Sequence, residues 1–84
     1  MAKLLKANGE IINNYKASNL EDYQKAVGGY IQIVNVRTAT ATPRVLIVNE
    51  EGLLYGLRYN ENASVLAMIP IVGDALLIDR KELK

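Results

Sequence analysis

Two arginines, Arg37 and Arg44, flank the stretch TATATP (38–43). A second group, Arg58, Tyr59, Asn60 and Asn62, follows the acidic turn of RVLIVNEEGLLYGLRYN (44–60). A guanidinium fork matches the geometry of a carboxylate or a phosphate, and threonine hydroxyls beside it can add hydrogen bonds. A Tyr-Asn-Arg patch can stack on a base and hydrogen-bond its edge. Arg37, Arg44, Arg58, Tyr59, Asn60 and Asn62 are therefore the candidate ligand-binding residues, suited to a nucleotide or other small anion held between subunits. Each also has a plainer structural reading. Arginines at strand ends keep a surface soluble, and an ion pair to Glu50 or Glu51 would contribute only about 0–1 kcal/mol. Asn60 suits a helix cap, with Tyr59 packed on the core.

Other polar groups carry less chemistry. Glu50 and Glu51 could share a proton or bind a divalent cation, but adjacent carboxylates on a turn usually face water. Asp74 and Asp79 are 5 positions apart, an odd spacing, so a regular strand puts them on opposite faces, where they cannot act as one acid–base pair. Gly28-Gly29 follows a helical pattern and leads into a strand, the reverse of a phosphate-cradling loop. Ser18 and Ser64 have no histidine to activate them, because the chain contains neither His nor Cys. The commonest general base, the commonest metal ligand and all thiolate chemistry are missing. The expectation is a protein that is not an enzyme, with no catalytic residue, no bound metal and no cofactor.

Composition points towards contact. Half of the 84 residues are apolar, yet Trp and Phe are absent and all five aromatic residues are Tyr. A buried Tyr hydroxyl needs a partner, so such rings favour the rim of a core or an interface. One domain this small has a thin core that can finish its burial against another copy. The stretch from Val65 to Ile71 is more apolar than a short surface helix requires, which makes Val65, Leu66, Met68, Ile69 and Ile71 the candidate oligomer interface. The net charge of +1 lacks the basic excess that phosphate-backbone binding needs, so nucleic acid is disfavoured as a partner. SVLAMIPIVGDALLI is too short to span a bilayer and is broken by Pro70, Gly73 and Asp74. MAKLLKANGE turns polar after two leucines, unlike a signal peptide. A soluble protein of the cytoplasm is expected.

The positioning elements follow from pattern. Asn8-Gly9 between short apolar runs predicts a hairpin with a two-residue type I′ turn, Leu5 opposite Ile12. Ser18 with Glu21 reads as a capping box, Leu20, Tyr23 and Val27 recur at helical spacing, and Gly28-Gly29 ends the helix. YIQIVNVRT (30–38) alternates as a strand, placed centrally, and TATATP is a connecting loop. RVLIVN is a continuous apolar run suited to a strand covered on both faces; NEEG turns it and LLYGLRYN returns as its hairpin partner. Asn60 caps a short helix with Ala63, Leu66 and Ala67 inward, stopped by Pro70, and IVGDALLIDR (71–80) is the last strand.

LEDYQKAVGGYIQIV, LIVNEEGLLYGLRYN and IVGDALLID together resemble the uncharacterised domain-of-unknown-function family 3846, over about residues 18–79. Val27-Gly28-Gly29 and Asn60 to Ala63 carry the resemblance most directly. The resemblance implies a phage or mobile-element setting and brings no known activity. The expected fold is one α+β domain, a single mixed, curved sheet of five to six strands with two short helices in the order ββαβββαβ. The expected function is a non-catalytic accessory protein that binds a host protein, as a homo-oligomer. The alternative is a protein that sequesters a small anionic ligand.

Overall fold

The computed structural model describes residues 2–36 and 43–83. Strands β1 (Ala2–Leu5) and β2 (Ile11–Tyr15) precede helix α1 (Leu20–Val27) and strand β3 (Ile31–Asn35). Strand β4 (Arg44–Asn49), helix α2 (Glu61–Ala67), strand β5 (Ala75–Asp79) and a closing 3₁₀ turn (Arg80–Glu82) follow. The five strands form one open sheet in the order β2-β1-β5-β4-β3. The fold is α+β. Every ladder is antiparallel, so the parallel pairing that a mixed sheet would contain is absent among the described residues.

The central strands β4 and β5 explain the continuous apolar runs. Val45, Ile47, Leu76 and Ile78 face α1, where they pack with Tyr23, Ala26 and Val27. Leu46, Val48, Ala75 and Leu77 face the other way, against Ala63 and Ala67 of α2 and against Ile71. A strand buried on both faces has no place for a polar alternation. Burial of each such side chain is worth about 1.5–3 kcal/mol.

Several local expectations shift by a residue or more. Asn8-Gly9 does make a hairpin, but Leu5 pairs with Ile11 and Leu4 with Ile12. The Gly9 amide donates to the Lys6 carbonyl and the Lys6 amide to the Glu10 carbonyl, and only Gly9 takes a positive φ. That is a three-residue loop, a type I turn ended by a left-handed glycine, which has a different register from the type I′ turn. Helix α1 is capped by Asn19 rather than Ser18. The Asn19 side chain accepts from the Asp22 amide at 2.9 Å, and the Asp22 carboxylate accepts from the Ser18 amide at 3.0 Å. The cap thus sits one residue later than expected, and Asp22 reaches back past it to the Ser18 amide instead of closing a reciprocal box on the cap residue itself. Gly28 ends the helix in the left-handed conformation, as expected, with the Gly28 and Gly29 amides both donating to the Gln24 carbonyl.

Strand β3 is an edge of the sheet and not a central strand, because its alternation leaves Gln32 and Ile33 exposed. The return arm after NEEG is reduced to a single bridge, Tyr59 to Val72. Residues 50–56 coil into successive turns instead, held by bonds from the Tyr55 amide to the Glu51 carbonyl and from the Leu57 amide to the Gly52 carbonyl. That bridge occupies the place of the sixth strand in the expected order. Helix α2 stops at Ala67, where Met68 adopts a left-handed φ of 58°, two residues before Pro70. Among the described residues no helix is long and apolar enough to cross a membrane.

Candidate functional site

The six ligand candidates do not converge. Arg37 lies outside the described residues, as do positions 38–42 of the loop it flanks. Arg44 opens β4 opposite Asp79, the last residue of β5. Arg58 lies beside Gly73 and Asp74, just before β5 begins. The length of a five-residue strand, roughly 15 Å, therefore separates the two arginines. Arg44 is also at the opposite end of β4 from Glu50 and Glu51, so neither carboxylate is positioned to pair with it.

Arg58, Tyr59 and Asn62 do come together. With Glu61 and the hairpin turn Ala7-Asn8-Gly9 they line an open concavity of about 480 Å³. The turn is fixed there by the Asp74 carboxylate, which accepts from the Ala7 amide at 2.9 Å. Among the described residues the Arg58 guanidinium has no carboxylate within ion-pair distance.

Asn60 belongs to the interior. It is fully buried, and its side-chain oxygen accepts from the Ala63 amide at 3.0 Å. Its amide nitrogen donates to the carbonyls of Leu5 and Gly73, both at 2.8 Å. One side chain thus caps α2 and ties it to β1 and to the approach to β5, leaving nothing free for a ligand. Ser64 extends this network: its hydroxyl donates to the Asn60 carbonyl at 2.6 Å and accepts from the Ile71 amide at 2.8 Å. Both residues were legible from sequence only as a cap and a helix-surface hydroxyl.

The apolar candidates divide in the same way. Ile71 is buried in the core beneath α2, and Leu66 is half-buried against that core, so neither presents an outer surface. The apolar periodicity of a short helix cannot separate an inward from an outward residue when both faces are apolar. Val65 is exposed on the outer face of α2, Met68 at its C-cap and Ile69 just beyond it.

Sequence reasoning missed the residues that continue this surface. Leu53, Leu54 and Tyr55 are 84%, 76% and 62% exposed on the turns after β4. Leu53 shares a cleft with Ile69 and Pro70. Tyr55 faces Tyr30 across a shallow depression of about 290 Å³ on the α1 side. Exposed apolar side chains therefore gather at one end of the sheet, Tyr30 beside Tyr55 and Leu53 beside Ile69, with Leu54 between the two pairs in sequence. Met68 and Val65 precede Ile69 at the C-cap and on α2, and this set is the apolar belt. Its turn is built rather than loose. The buried Asn49 side chain donates to the Val27 carbonyl at 3.1 Å and accepts from the Glu51 amide at 2.8 Å, joining the turn to the end of α1. The sequence carries no signal that separates this surface from a core, because the same apolar run reads equally as the start of a strand.

The family model described as "Domain of unknown function (DUF3846)" matches residues 3–83, essentially the whole chain. The protein belongs to the DUF3846 family. Membership supports the resemblance carried by Val27-Gly28-Gly29 and by Asn60 to Ala63, and both segments have structural work in this DUF3846 domain: one ends α1, the other caps α2. Comparison with curated proteins and with solved structures finds no match.

Proposed function

We propose that this DUF3846 protein is a non-catalytic accessory protein that acts by contact, docking a protein partner on the apolar belt at the β3–β4 end of its sheet and working as a homo-oligomer. The belt carries the reading. Isolated apolar residues on a surface need no explanation, but a contiguous band on a hydrogen-bonded turn is the kind of patch that marks an interaction site. Its large flexible and aromatic side chains are those enriched at interface centres. The chain lacks imidazole and thiol, which is consistent with a role in binding. The phage or mobile-element setting that the resemblance implies supports a host protein as the partner.

The test compares wild type with a Leu53→Asp/Leu54→Asp double variant in affinity capture from host lysate, after circular dichroism has established that both are folded. A partner recovered by wild type and lost by the variant supports the reading. Equal recovery by both, or no recovery by wild type above a bare-resin control, overturns it.

The concavity at Arg58, Tyr59 and Asn62 favours a second reading, the sequestration of a small anion. Arg58 lines it, and among the described residues no ion pair holds its guanidinium. A ligand at a hundredfold excess over its dissociation constant would raise stability by about 2.7 kcal/mol. Thermal melting against a nucleotide panel shows a shift that Arg58→Ala removes if this reading holds, and no shift if it fails.

A further inference from the structure

The two edges of the sheet are not alike. On β2, Ala2 pairs with Tyr15 and Leu4 with Ile12, so Asn13 and Asn14 together stand against Lys3. Asn14 takes a left-handed φ of 57° at this bulge. A bulge of this kind twists an edge and spoils it as a template for another strand. Strand β3 carries no such device. Its register with β4 is unbroken from Ile31↔Asn49 to Asn35↔Val45. From Tyr30 to Val36 it contains no charge and no proline.

The backbone of β3 shows which groups are free. The Glu50 amide donates to the Tyr30 carbonyl and the Val36 amide to the Arg44 carbonyl, bracketing the ladder. Hydrogen-bonded pairs alternate along antiparallel strands, so Tyr30, Gln32, Val34 and Val36 point their N–H and C=O groups towards β4. Those of Ile31, Ile33 and Asn35 point outwards, along an edge where the Ile33 side chain is 47% exposed.

We infer that β3 is a self-pairing edge, and that two copies join their sheets by antiparallel pairing of β3 with β3 about a two-fold axis at Ile33. This rests on the reading that the protein self-associates, and it assigns the surface. The segment is self-complementary: Ile33 meets Ile33 of the partner subunit, Ile31 meets the partner's Asn35, and Gln32 meets the partner's Val34. No like charges oppose one another, and a net charge of +1 per chain gives little repulsion. The pairing places Tyr30 against the partner's Val36, and the cleft that Leu53 and Ile69 share with Gln32 and Val34 then borders the joined edge.

Cysteine crosslinking tests this directly, since the chain has no thiol of its own. A hydrogen-bonded antiparallel pair sets Cα atoms about 5.5 Å apart, within disulfide range. Under mild oxidation, Ile33→Cys is expected to form a disulfide-linked dimer at least tenfold faster than Ile11→Cys on the β2 edge or Val65→Cys on the belt. Gln32→Cys and Val34→Cys chains are expected to crosslink when mixed and to do so poorly alone, which fixes the register. Sedimentation of the unmodified protein reports self-association independently. Self-association with faster crosslinking at position 65 or 11 overturns the β3 edge while the oligomer reading stands. A monomer at all concentrations, with no preference for position 33, overturns both.

Discussion

Asn60 and Asn62 are two residues apart and have opposite duties, which shows what decides a residue's role here. Both are short amides with identical donors and acceptors. Asn60 meets an amide and two carbonyls in a buried site, whereas Asn62 lines an open concavity. Removing a buried side chain that satisfies several backbone groups strands those groups without solvent, at about 1–3 kcal/mol each, in addition to the cap itself at about 1 kcal/mol. Asn60→Ala is therefore expected to lower the urea-unfolding free energy by at least about 3 kcal/mol. Asn60→Asp should cost more, because a carboxylate would face the carbonyls of Leu5 and Gly73 with no proton to give. Asn62→Ala should stay within about 0.5 kcal/mol of wild type, the range of ordinary surface substitutions. If the two alanine variants melt alike, the buried network is not what anchors α2.

Among the elements, those whose ends carry stereochemical punctuation were the most legible. Helix α1 was readable because Gly28 and the acidic first turn bound it, although the choice among Ser18, Asn19, Glu21 and Asp22 was beyond pattern alone: adjacent residues offer equivalent acceptors, and only tertiary packing selects between them. Gly28 takes φ +80° with open space around the position a Cβ would occupy. Gly28→Ala should consequently cost about 1–2 kcal/mol from backbone strain alone. Gly28→Asn should recover part of that loss, since Asn tolerates the left-handed region. Gly52 is different: a Cβ there would lie 2.8 Å from a Val72 methyl. Gly52→Ala must displace Val72 or the turn, and a loss of roughly 1–3 kcal/mol is expected by chemical denaturation, the usual cost of overpacking. LLYGLRYN does not form the expected strand: residues 53–56 continue the turns, and Leu53, Leu54 and Tyr55 lie exposed. The apolar belt, the main part of the candidate site, was hidden by the same ambiguity. Hydrophobic pattern reports which residues avoid water in most folds, and it does not distinguish a core residue from one reserved for a partner.

For the molecule as a whole, the decisive question is what completes a thin core. Two strands, β4 and β5, bury both faces; β2 and β3 bury little and form the margins. One margin is blunted by the Asn13–Asn14 bulge and the other is straight and uncharged, so stability that is completed by a second copy must depend on concentration. When folding is linked to dimerisation, each tenfold rise in protein adds about 1.4 kcal/mol per dimer, or roughly 0.7 kcal/mol per chain. For a domain of this size that corresponds to a rise of about 3–5 °C in Tm per decade of concentration, measurable by calorimetry across two decades. Ile33→Lys should flatten the slope, because two ammonium groups would meet across the proposed two-fold axis, while leaving the limiting Tm at low concentration close to that of wild type. Leu53→Asp should flatten the slope less than Ile33→Lys does, since Leu53 lies beside Gln32 and Val34 whereas Ile33 lies on the axis itself. A wild-type Tm independent of concentration, or a slope removed by Leu53→Asp and not by Ile33→Lys, would move self-association off the β3 edge and return it to the belt or to none.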